Sequence, residues 1–276
     1  MDLLTPAPLV SAQWLHNHLA IPNLVIADCR FSLTEPEAGL HAYQRGHIPG
    51  AVYVHLNRDL SGPLQPSKRG GRHPLPDINK LARTLEASGI GDQTTVVAYD
   101  DSRFAFAARL WWLLRYLGHD RVAILDGGFA GWCDQGYPVE QETPAPNPQT
   151  FTPQVQTDWV VDKPGVESRQ NLENTVLVDS RSGDRYRGER EPIDPVAGHI
   201  PGAVNRFWRE VTDEQGCGRS PDEQRQRWQD LEAAEEIVVY CGSGVTACVN
   251  LLSLELAGLG PGKLYAGSWS DWCSYL

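Results

Sequence analysis

The strongest constraint on the fold is that this chain carries its most distinctive motifs twice, in the same order. "GHIPGAV" at residues 46–52 recurs at residues 198–204, and "VIADCR" at residues 25–30 corresponds to "VLVDSR" at residues 176–181. A spacing of roughly 150 residues is too long for the stacked units of a solenoid and suits domains of ordinary size. The repetition therefore predicts two duplicated domains.

A proline-rich segment separates the two copies. "QETPAPNPQTFTP" at residues 141–153 contains four prolines, which can continue neither a helix nor a central strand. We predict a stiff, extended linker there, between an N-terminal domain of residues 1–140 and a C-terminal domain of residues 154–276. The 276 residues of the chain suffice for two such domains.

Short apolar runs alternate with helical patterns in each copy. The runs are rich in β-branched residues and bounded by turn residues, as is typical of buried strands; they lie at 24–27, 95–98, 176–178 and 237–240. Apolar residues at helical spacing predict helices at 104–117 and 247–257. Strands that alternate with helices pair in parallel, so we predict an α/β fold with two tandem domains, each a parallel sheet flanked by helices. Active residues of such sheets lie just beyond the carboxyl ends of the strands, where Cys241 and Asp100 stand.

The segment "CGSGVTA" places a thiol in front of a glycine-rich turn and a helix. Gly242 and Gly244 let the backbone turn tightly and point successive N–H groups inward. The following helix adds its unpaired amides and the positive end of its dipole. This setting favours a thiolate and would also stabilise an anion carried on the sulfur. Cys241 is therefore predicted to be a nucleophile, the alternative being a small buried apolar residue.

Cysteine phosphatases and thiol proteases also use a cysteine nucleophile, and each needs a particular partner residue. A cysteine phosphatase needs C-x5-R, but the residue six positions after Cys241 is Ala247, and the loop has no basic residue. A thiol protease needs a histidine base, and His199 is a candidate. Its duplicate His47 has no cysteine partner, which favours a role for both histidines in shaping the "HIPG" turn.

Composition limits the remaining classes. A net charge of -11 argues against non-specific binding to nucleic acid or anionic membranes. No apolar run is long enough to span a membrane, and "MDLLTPAPLVSAQWL" lacks the features of a secretory signal. The six cysteines show no CxxC spacing, so a reduced, cytoplasmic protein without a metal site is expected. Neither a P-loop nor GxGxxG is present, and no cofactor is expected.

The duplicated "GHIPGA", the "DxR" strand ends and "CGSGVTA" together resemble the two-domain rhodanese sulfurtransferases over essentially the whole chain. The loop resembles that of the 3-mercaptopyruvate branch of this family. The resemblance implies two rhodanese-like domains of which only the C-terminal one is catalytic. It also implies that sulfur passes from 3-mercaptopyruvate, through a Cys241 persulfide, to cyanide, a small thiol or thioredoxin.

The resemblance also assigns residues. The main chain of Gly242, Gly244, Val245 and Thr246 would cradle the persulfide, and Ser243 would assist proton handling. Arg185 would grip the substrate carboxylate with its planar fork of donors. His73 would reach the same site, the alternative for it being a histidine that stabilises a turn.

The chain departs from the family pattern in two places. Ile193 stands near the position where relatives have a second substrate arginine, and Arg187 or Arg190 could replace it. After the first "HIPGA", relatives have acidic residues where this chain has His55 and Asn57, with Asp59 a little further on.

Two further positions bear on the cysteine chemistry. Asp100 stands where the N-terminal copy would need its cysteine, so that copy is expected to be catalytically silent. Cys248 is expected to be a packed helix residue, a redox partner of Cys241 being the alternative.

Two alternative functions stay open. One is thiosulfate:cyanide sulfurtransferase activity through the same cysteine, which the neutral loop disfavours because a dianionic donor gains from fixed positive charge. The other is a binding module that relays persulfide to a partner.

Overall fold

The computed structural model describes residues 7–65 and 69–276. The described residues form two compact units. The first contains the chain up to Ser61, Pro76–Gln156 and Thr212–Gly218; the second contains Gly62–Leu75, Thr157–Val211 and Arg219–Leu276. The segment that carries His73 thus packs with the second unit, although it lies early in the sequence.

The first unit is built on a five-stranded parallel sheet. Its strands are β1 (Leu9–Val10), β2 (Leu24–Asp28), β3 (Val52–Tyr53), β4 (Thr95–Tyr99) and β5 (Val122–Leu125). Its helices are α1 (Ala12–His18), α2 (Ala38–Arg45), α3 (Ile78–Ala87), α4 (Ala107–Tyr116) and α5 (Gly128–Asp134). The strand order is β1-β5-β4-β2-β3, and the central strand β4 is buried at every position.

The second unit repeats this arrangement. Its strands are β6 (Val160–Val161), β7 (Thr175–Asp179), β8 (Val204–Asn205), β9 (Glu236–Tyr240) and β10 (Lys263–Tyr265). Its α-helices are α6 (Lys163–Arg169), α7 (Gly183–Tyr186), α8 (Pro221–Trp228), α9 (Ala247–Leu256) and α10 (Ser268–Trp272). Short 3₁₀ turns lie at Thr157–Trp159, Trp208–Val211, Gln229–Leu231 and Cys273–Tyr275. The sheet order β6-β10-β9-β7-β8 confirms the predicted duplicated α/β fold.

Helix α9 is buried over most of its length. All residues from Ala247 to Leu254 are buried, so this helix is covered on every side rather than along one stripe. Its predicted position, 247–257, agrees with the observed Ala247–Leu256. A helix held this firmly fixes the loop that precedes it.

The repeated motifs have a structural role that is the same in both units. In the second unit, the Arg181 guanidinium binds Asp179 at the end of β7 and donates to the Gly198 carbonyl oxygen at 2.6 Å. In the first unit, Arg30 binds Asp28 and donates to Gly46 at 2.8 Å. Each "DxR" strand end is thereby tied to a "GHIPG" turn.

The histidines of these turns also make local contacts. His47 Nδ1 lies 2.8 Å from the Tyr43 carbonyl oxygen, and His199 Nδ1 lies 2.7 Å from that of Tyr186. These contacts explain why a histidine occurs in both turns, because neither contact requires a nucleophile beside the ring.

The proline-rich segment 141–153 has no helix or strand. It runs along the first unit, where the Phe151 N–H donates to the Glu86 carboxylate at 3.2 Å and the Phe151 ring is buried. The boundaries predicted from the sequence, 1–140 and 154–276, remain a prediction about the duplicated halves.

Every helix within the described residues is too short or too polar to cross a membrane. The first six residues of the N-terminal stretch used to judge a secretory signal lie outside the described part of the chain.

Candidate active site

Cys241 lies directly after β9, at the carboxyl end of the central strand of the second sheet. Its side chain is buried, with 2% of the residue exposed, but the sulfur has a polar contact. The Gly244 N–H donates to Cys241 Sγ at 3.2 Å. A main-chain donor aimed at the sulfur favours negative charge there. A cysteine packed only against hydrocarbon would lack such a donor.

The loop of residues 241–246 is held from the opposite side by α10. The Trp269 and Ser270 N–H groups donate to the carbonyl oxygens of Cys241 and Gly242, each at 3.0 Å. The Cys241 N–H donates to Ser268 Oγ at 3.1 Å. These bonds use the first amides of α10 to fix the backbone on either side of the sulfur.

Gly244 is required by both conformation and space. Its φ is +75°, and a Cβ at this position would lie 2.4 Å from the Ala266 carbonyl oxygen. Only glycine adopts this backbone without strain at such a close approach. The next two loop residues lead into α9: Val245 is buried, and Thr246 is the N-cap residue.

Ser243 contacts His73. The distance between Ser243 Oγ and His73 Nδ1 is 2.8 Å, and both residues are buried. The structure thus brings together two residues that were assigned from widely separated parts of the sequence. A hydroxyl bonded to an imidazole two residues from the thiol can hold a proton close to the sulfur.

The segment that carries His73 is anchored on α10. The Gly70 N–H donates to Asp271 Oδ1 at 2.7 Å, and the Arg72 N–H donates to Ser270 Oγ at 3.1 Å. A Cβ on Gly71 would lie 2.4 Å from the Gly267 carbonyl oxygen. The close approach of the two backbones sets the positions of the side chains that follow Gly71.

Arg185 lies beside Gly242 and is held by carboxylates. Its Nε and Nη2 donate to the two oxygens of Glu191 at 3.0 and 2.6 Å, and Nη2 lies 3.5 Å from Asp194 Oδ2. A Cβ on Gly242 would lie 3.5 Å from Arg185 Nη2. The guanidinium is thus fixed with an edge toward the cysteine loop, as a carboxylate-binding arginine would need.

Glu191 is shaped by this pairing. Burial raises the pKa of its carboxyl. The hydrogen bond and charge of Arg185 and the N–H groups of Ile193 and Asp194 lower the pKa by more than burial raises it, so it lies below the ordinary value of glutamate. The carboxylate that positions Arg185 is therefore ionised at neutral pH.

The two arginines considered as replacements for a missing second arginine point elsewhere. Arg187 pairs with Glu189 and Arg190 pairs with Asp184, and their side chains are 57% and 62% exposed. Ile193 is also exposed.

Sequence reasoning missed Arg72, the second guanidinium beside the cysteine loop. Its Nη1 pairs with the buried Asp194, and a Cβ on Gly242 would lie 2.9 Å from Arg72 Nη2. The available signal was its place next to His73, directly after two glycines.

The first unit has a carboxylate at the position that corresponds to Cys241. Asp100 Oδ1 accepts from the N–H groups of Ser102 and Phe104 at 2.8 and 3.1 Å, and Oδ2 accepts from Phe106 and Ala107, both at 2.9 Å. Burial raises the pKa of Asp100, and the N–H groups of Ala107, Ser102 and Phe106 oppose that rise. The aspartate fills a main-chain cradle at the start of α4 with its own side chain.

The other residues singled out from the sequence have structural contacts. Cys248 is buried in α9, and its Sγ lies 3.5 Å from the Gly244 carbonyl oxygen. In the first unit, the His55 N–H donates to Asp59 Oδ2 at 2.7 Å. All six cysteines are free, and no cluster of three or more metal-ligating side chains occurs among the described residues.

Two parallel sheets of the same strand order, one with a glycine-rich cysteine loop at the end of its central strand and the other with Asp100 at that place, define the class of two-domain rhodanese-like proteins. The Rhodanese-like domain family matches residues 11–135 and 165–275. The chain therefore belongs to the rhodanese family.

Relatives align with nearly the full length of this chain. It is 44% identical over 273 residues to a probable 3-mercaptopyruvate sulfurtransferase of Pseudomonas aeruginosa, covering 98% of this chain and 96% of the relative. It is 36% identical over 252 residues to a putative thiosulfate sulfurtransferase, SseB, of Mycobacterium tuberculosis, covering 90% and 87%. The crystal structure of SseA from Escherichia coli, described as a 3-mercaptopyruvate sulfotransferase, matches with a TM-score of 0.84 at 31% identity, covering 96% of this chain and 99% of that one.

Proposed function

We propose that this protein is a sulfurtransferase that takes sulfur from 3-mercaptopyruvate through a persulfide on Cys241. The observation that carries the proposal is the hydrogen bond from the Gly244 N–H to Cys241 Sγ, in a loop flanked by the Ser243–His73 pair and by Arg185. The names of the relatives from Pseudomonas aeruginosa and Escherichia coli support the same donor.

In the first half-reaction, the Cys241 thiolate attacks the sulfur of the donor. An S–S bond forms, the C–S bond of the donor breaks, and its electron pair leaves with the pyruvate enolate. The enolate carbon then takes up a proton from the Ser243–His73 pair, a role supported by the contact between these two side chains. Arg185 binds the carboxylate of the donor, and Gly244 stabilises the negative charge on the cysteine sulfur.

In the second half-reaction, an acceptor attacks the outer sulfur of the persulfide. The S–S bond breaks and the Cys241 thiolate is restored, while cyanide becomes thiocyanate or a thiol becomes a persulfide. A small thiol, cyanide or thioredoxin has the required nucleophile. The free state of the six cysteines supports a reducing, cytoplasmic setting for this chemistry.

The direct test compares pyruvate release by the wild type with that by Cys241→Ser. We expect the variant to lose activity, because a serine hydroxyl cannot form the persulfide. Cys248→Ala is the matched control, since Cys248 is a buried thiol in α9, and it should retain turnover. Equal pyruvate release by wild type and Cys241→Ser would reject the proposal.

The donor is tested by comparing kcat/KM for 3-mercaptopyruvate and thiosulfate. The two guanidinium groups near the loop are matched by the carboxylates of Glu191 and Asp194, so the cluster carries little excess positive charge to attract a dianion. A higher kcat/KM for thiosulfate would favour the activity in the name of the Mycobacterium tuberculosis relative. Turnover far below about 1 per second with every small donor would favour a persulfide-relay module.

A further inference from the structure

We propose that Arg72 is the second arginine of the donor site, so that Arg72 and Arg185 together bind the carboxylate end of the sulfur donor. The identity of the donor rests on the function proposed above. The placement of Arg72 rests on the geometry of the second unit alone.

The two guanidinium groups converge on one point of the cysteine loop. A Cβ placed on Gly242 would lie 2.9 Å from Arg72 Nη2 and 3.5 Å from Arg185 Nη2. Gly242 directly follows the nucleophile, so an anion held between these two groups lies next to the sulfur. The absence of a side chain at Gly242 keeps that space open.

Both arginines are fixed in place before any donor binds. Arg72 Nη1 pairs with Asp194, and Arg185 binds Glu191 through Nε and Nη2. Asp194 also lies 3.5 Å from Arg185, so one buried carboxylate contacts both cations. Planar guanidinium groups oriented by carboxylates form directional carboxylate sites at a small cost in conformational entropy.

The backbone of Arg72 is held as firmly as its side chain. Its N–H donates to Ser270 Oγ, and the preceding Gly71 packs against the Gly267 carbonyl. The next residue, His73, contacts Ser243. One anchored segment therefore presents a cation and an imidazole to the same loop. The exposed Arg187 and Arg190, by contrast, pair with acidic residues of their own segment.

The first test measures alkylation of Cys241 by iodoacetate and by iodoacetamide, which differ in the carboxylate, with the site confirmed by peptide mass mapping. We expect Arg72→Met to slow iodoacetate by about 10- to 100-fold, the effect of losing a hydrogen bond to a charged group. The rate with iodoacetamide should stay the same. Arg187→Met is the matched control and should change neither rate.

The second test uses turnover with two donors. Arg72→Met should lower kcat/KM for 3-mercaptopyruvate by about 10- to 100-fold. It should leave turnover of mercaptoacetone, the same α-mercapto ketone with a methyl group in place of the carboxylate, unchanged. Arg72→Lys keeps the charge but loses the planar fork, so its kcat/KM should lie between those of the wild type and Arg72→Met.

A folding defect is separated from a binding defect by a second variant. Arg72→Met leaves the Asp194 carboxylate buried beside one cation instead of two. The double variant Arg72→Met/Asp194→Asn removes both charges of this pair. Its rates are compared with those of Asp194→Asn alone. Equal losses of rate with charged and neutral reagents, in both the wild-type and the Asp194→Asn background, would overturn the proposal. An unchanged rate with both kinds of reagent would also overturn it. If the wild type releases no pyruvate but Arg72→Met still slows iodoacetate selectively, the carboxylate site stands and the proposed function fails.

Discussion

The conformation of the cysteine loop depends on Gly244, and its replacement by alanine tests whether the loop geometry matters for the sulfur. Gly244 has a φ of +75°, where a residue with a Cβ is strained by about 1–2 kcal/mol. The added Cβ would also lie 2.4 Å from the Ala266 carbonyl oxygen, so the backbone must shift. Overpacking of this kind costs about 1–3 kcal/mol. Gly244→Ala should therefore destabilise the protein by about 2–5 kcal/mol.

Gly258→Ala is a matched control for this variant. Gly258 has the same φ of +75°, but nothing lies within 4 Å of a Cβ built on it. It shares the strain and lacks the overlap, so its cost should be only about 1–2 kcal/mol. The thermal midpoint of Gly244→Ala, measured by calorimetry, should lie at least about 2 °C below that of Gly258→Ala, because each kcal/mol shifts the midpoint by about 2–4 °C in large domains.

The same two variants report on catalysis. A shifted backbone withdraws the Gly244 N–H from Cys241 Sγ, and removal of one such donor costs enzymes about 100-fold or more in rate. Single-turnover pyruvate release should therefore slow strongly in Gly244→Ala and stay at the wild-type rate in Gly258→Ala. If Gly244→Ala is no less stable than Gly258→Ala, or reacts at the wild-type rate, the loop geometry described here does not control the sulfur.

Three further predictions concern the surroundings of the loop. Ser243→Ala should lower kcat for pyruvate release by about 100-fold, because it breaks the contact through which His73 supports proton transfer, and an unchanged kcat would exclude that role. Glu191→Gln should have a lower thermal midpoint than the wild type at neutral pH. Because the folded-state pKa of Glu191 lies below its unfolded value, the difference in thermal midpoint should shrink as the pH falls below about 4.3. A difference that grows in acid would contradict the pairing of Glu191 with Arg185. Asp100→Asn should cost about 2 kcal/mol or more, because an NH₂ group replaces one acceptor oxygen in the cradle, while pyruvate release is retained; a matching loss of activity would contradict a silent first unit.

The central strands could be predicted closely because their signal is local. The run at residues 95–98 lies within β4 (Thr95–Tyr99), and the run at 237–240 lies within β9 (Glu236–Tyr240). Buried β-branched residues bounded by turns identify such strands without knowledge of their partners. The alternation of strand and helix patterns predicts the α/β class, and its repetition along the chain predicts two such domains.

Helix α4 begins later than its apolar pattern predicts. The pattern starts at Phe104, whereas the helix spans Ala107–Tyr116. Arg103 and Phe104 have φ values of 58° and 69°, which lie outside the helical region. The Asp100 carboxylate binds the N–H groups of this turn, so a side chain upstream of the helix determines where it starts.

Arg72 could not be assigned from the sequence because long-range contacts place it. Its N–H binds a serine 198 residues away, and its guanidinium pairs with Asp194, 122 residues away. Neither separation leaves a trace in local patterning. Arg185 and Ser243 were accessible because they lie within motifs whose form resembles a known family.

The central claim is that Cys241 carries sulfur covalently during turnover. Intact-mass analysis after addition of 3-mercaptopyruvate, followed by peptide mapping, tests it most directly. The account predicts one added sulfur atom on the peptide that contains Cys241, lost again when cyanide is added and never formed in Cys241→Ser. An unmodified Cys241 peptide during continuing pyruvate release, or the added sulfur on a different cysteine, would contradict it.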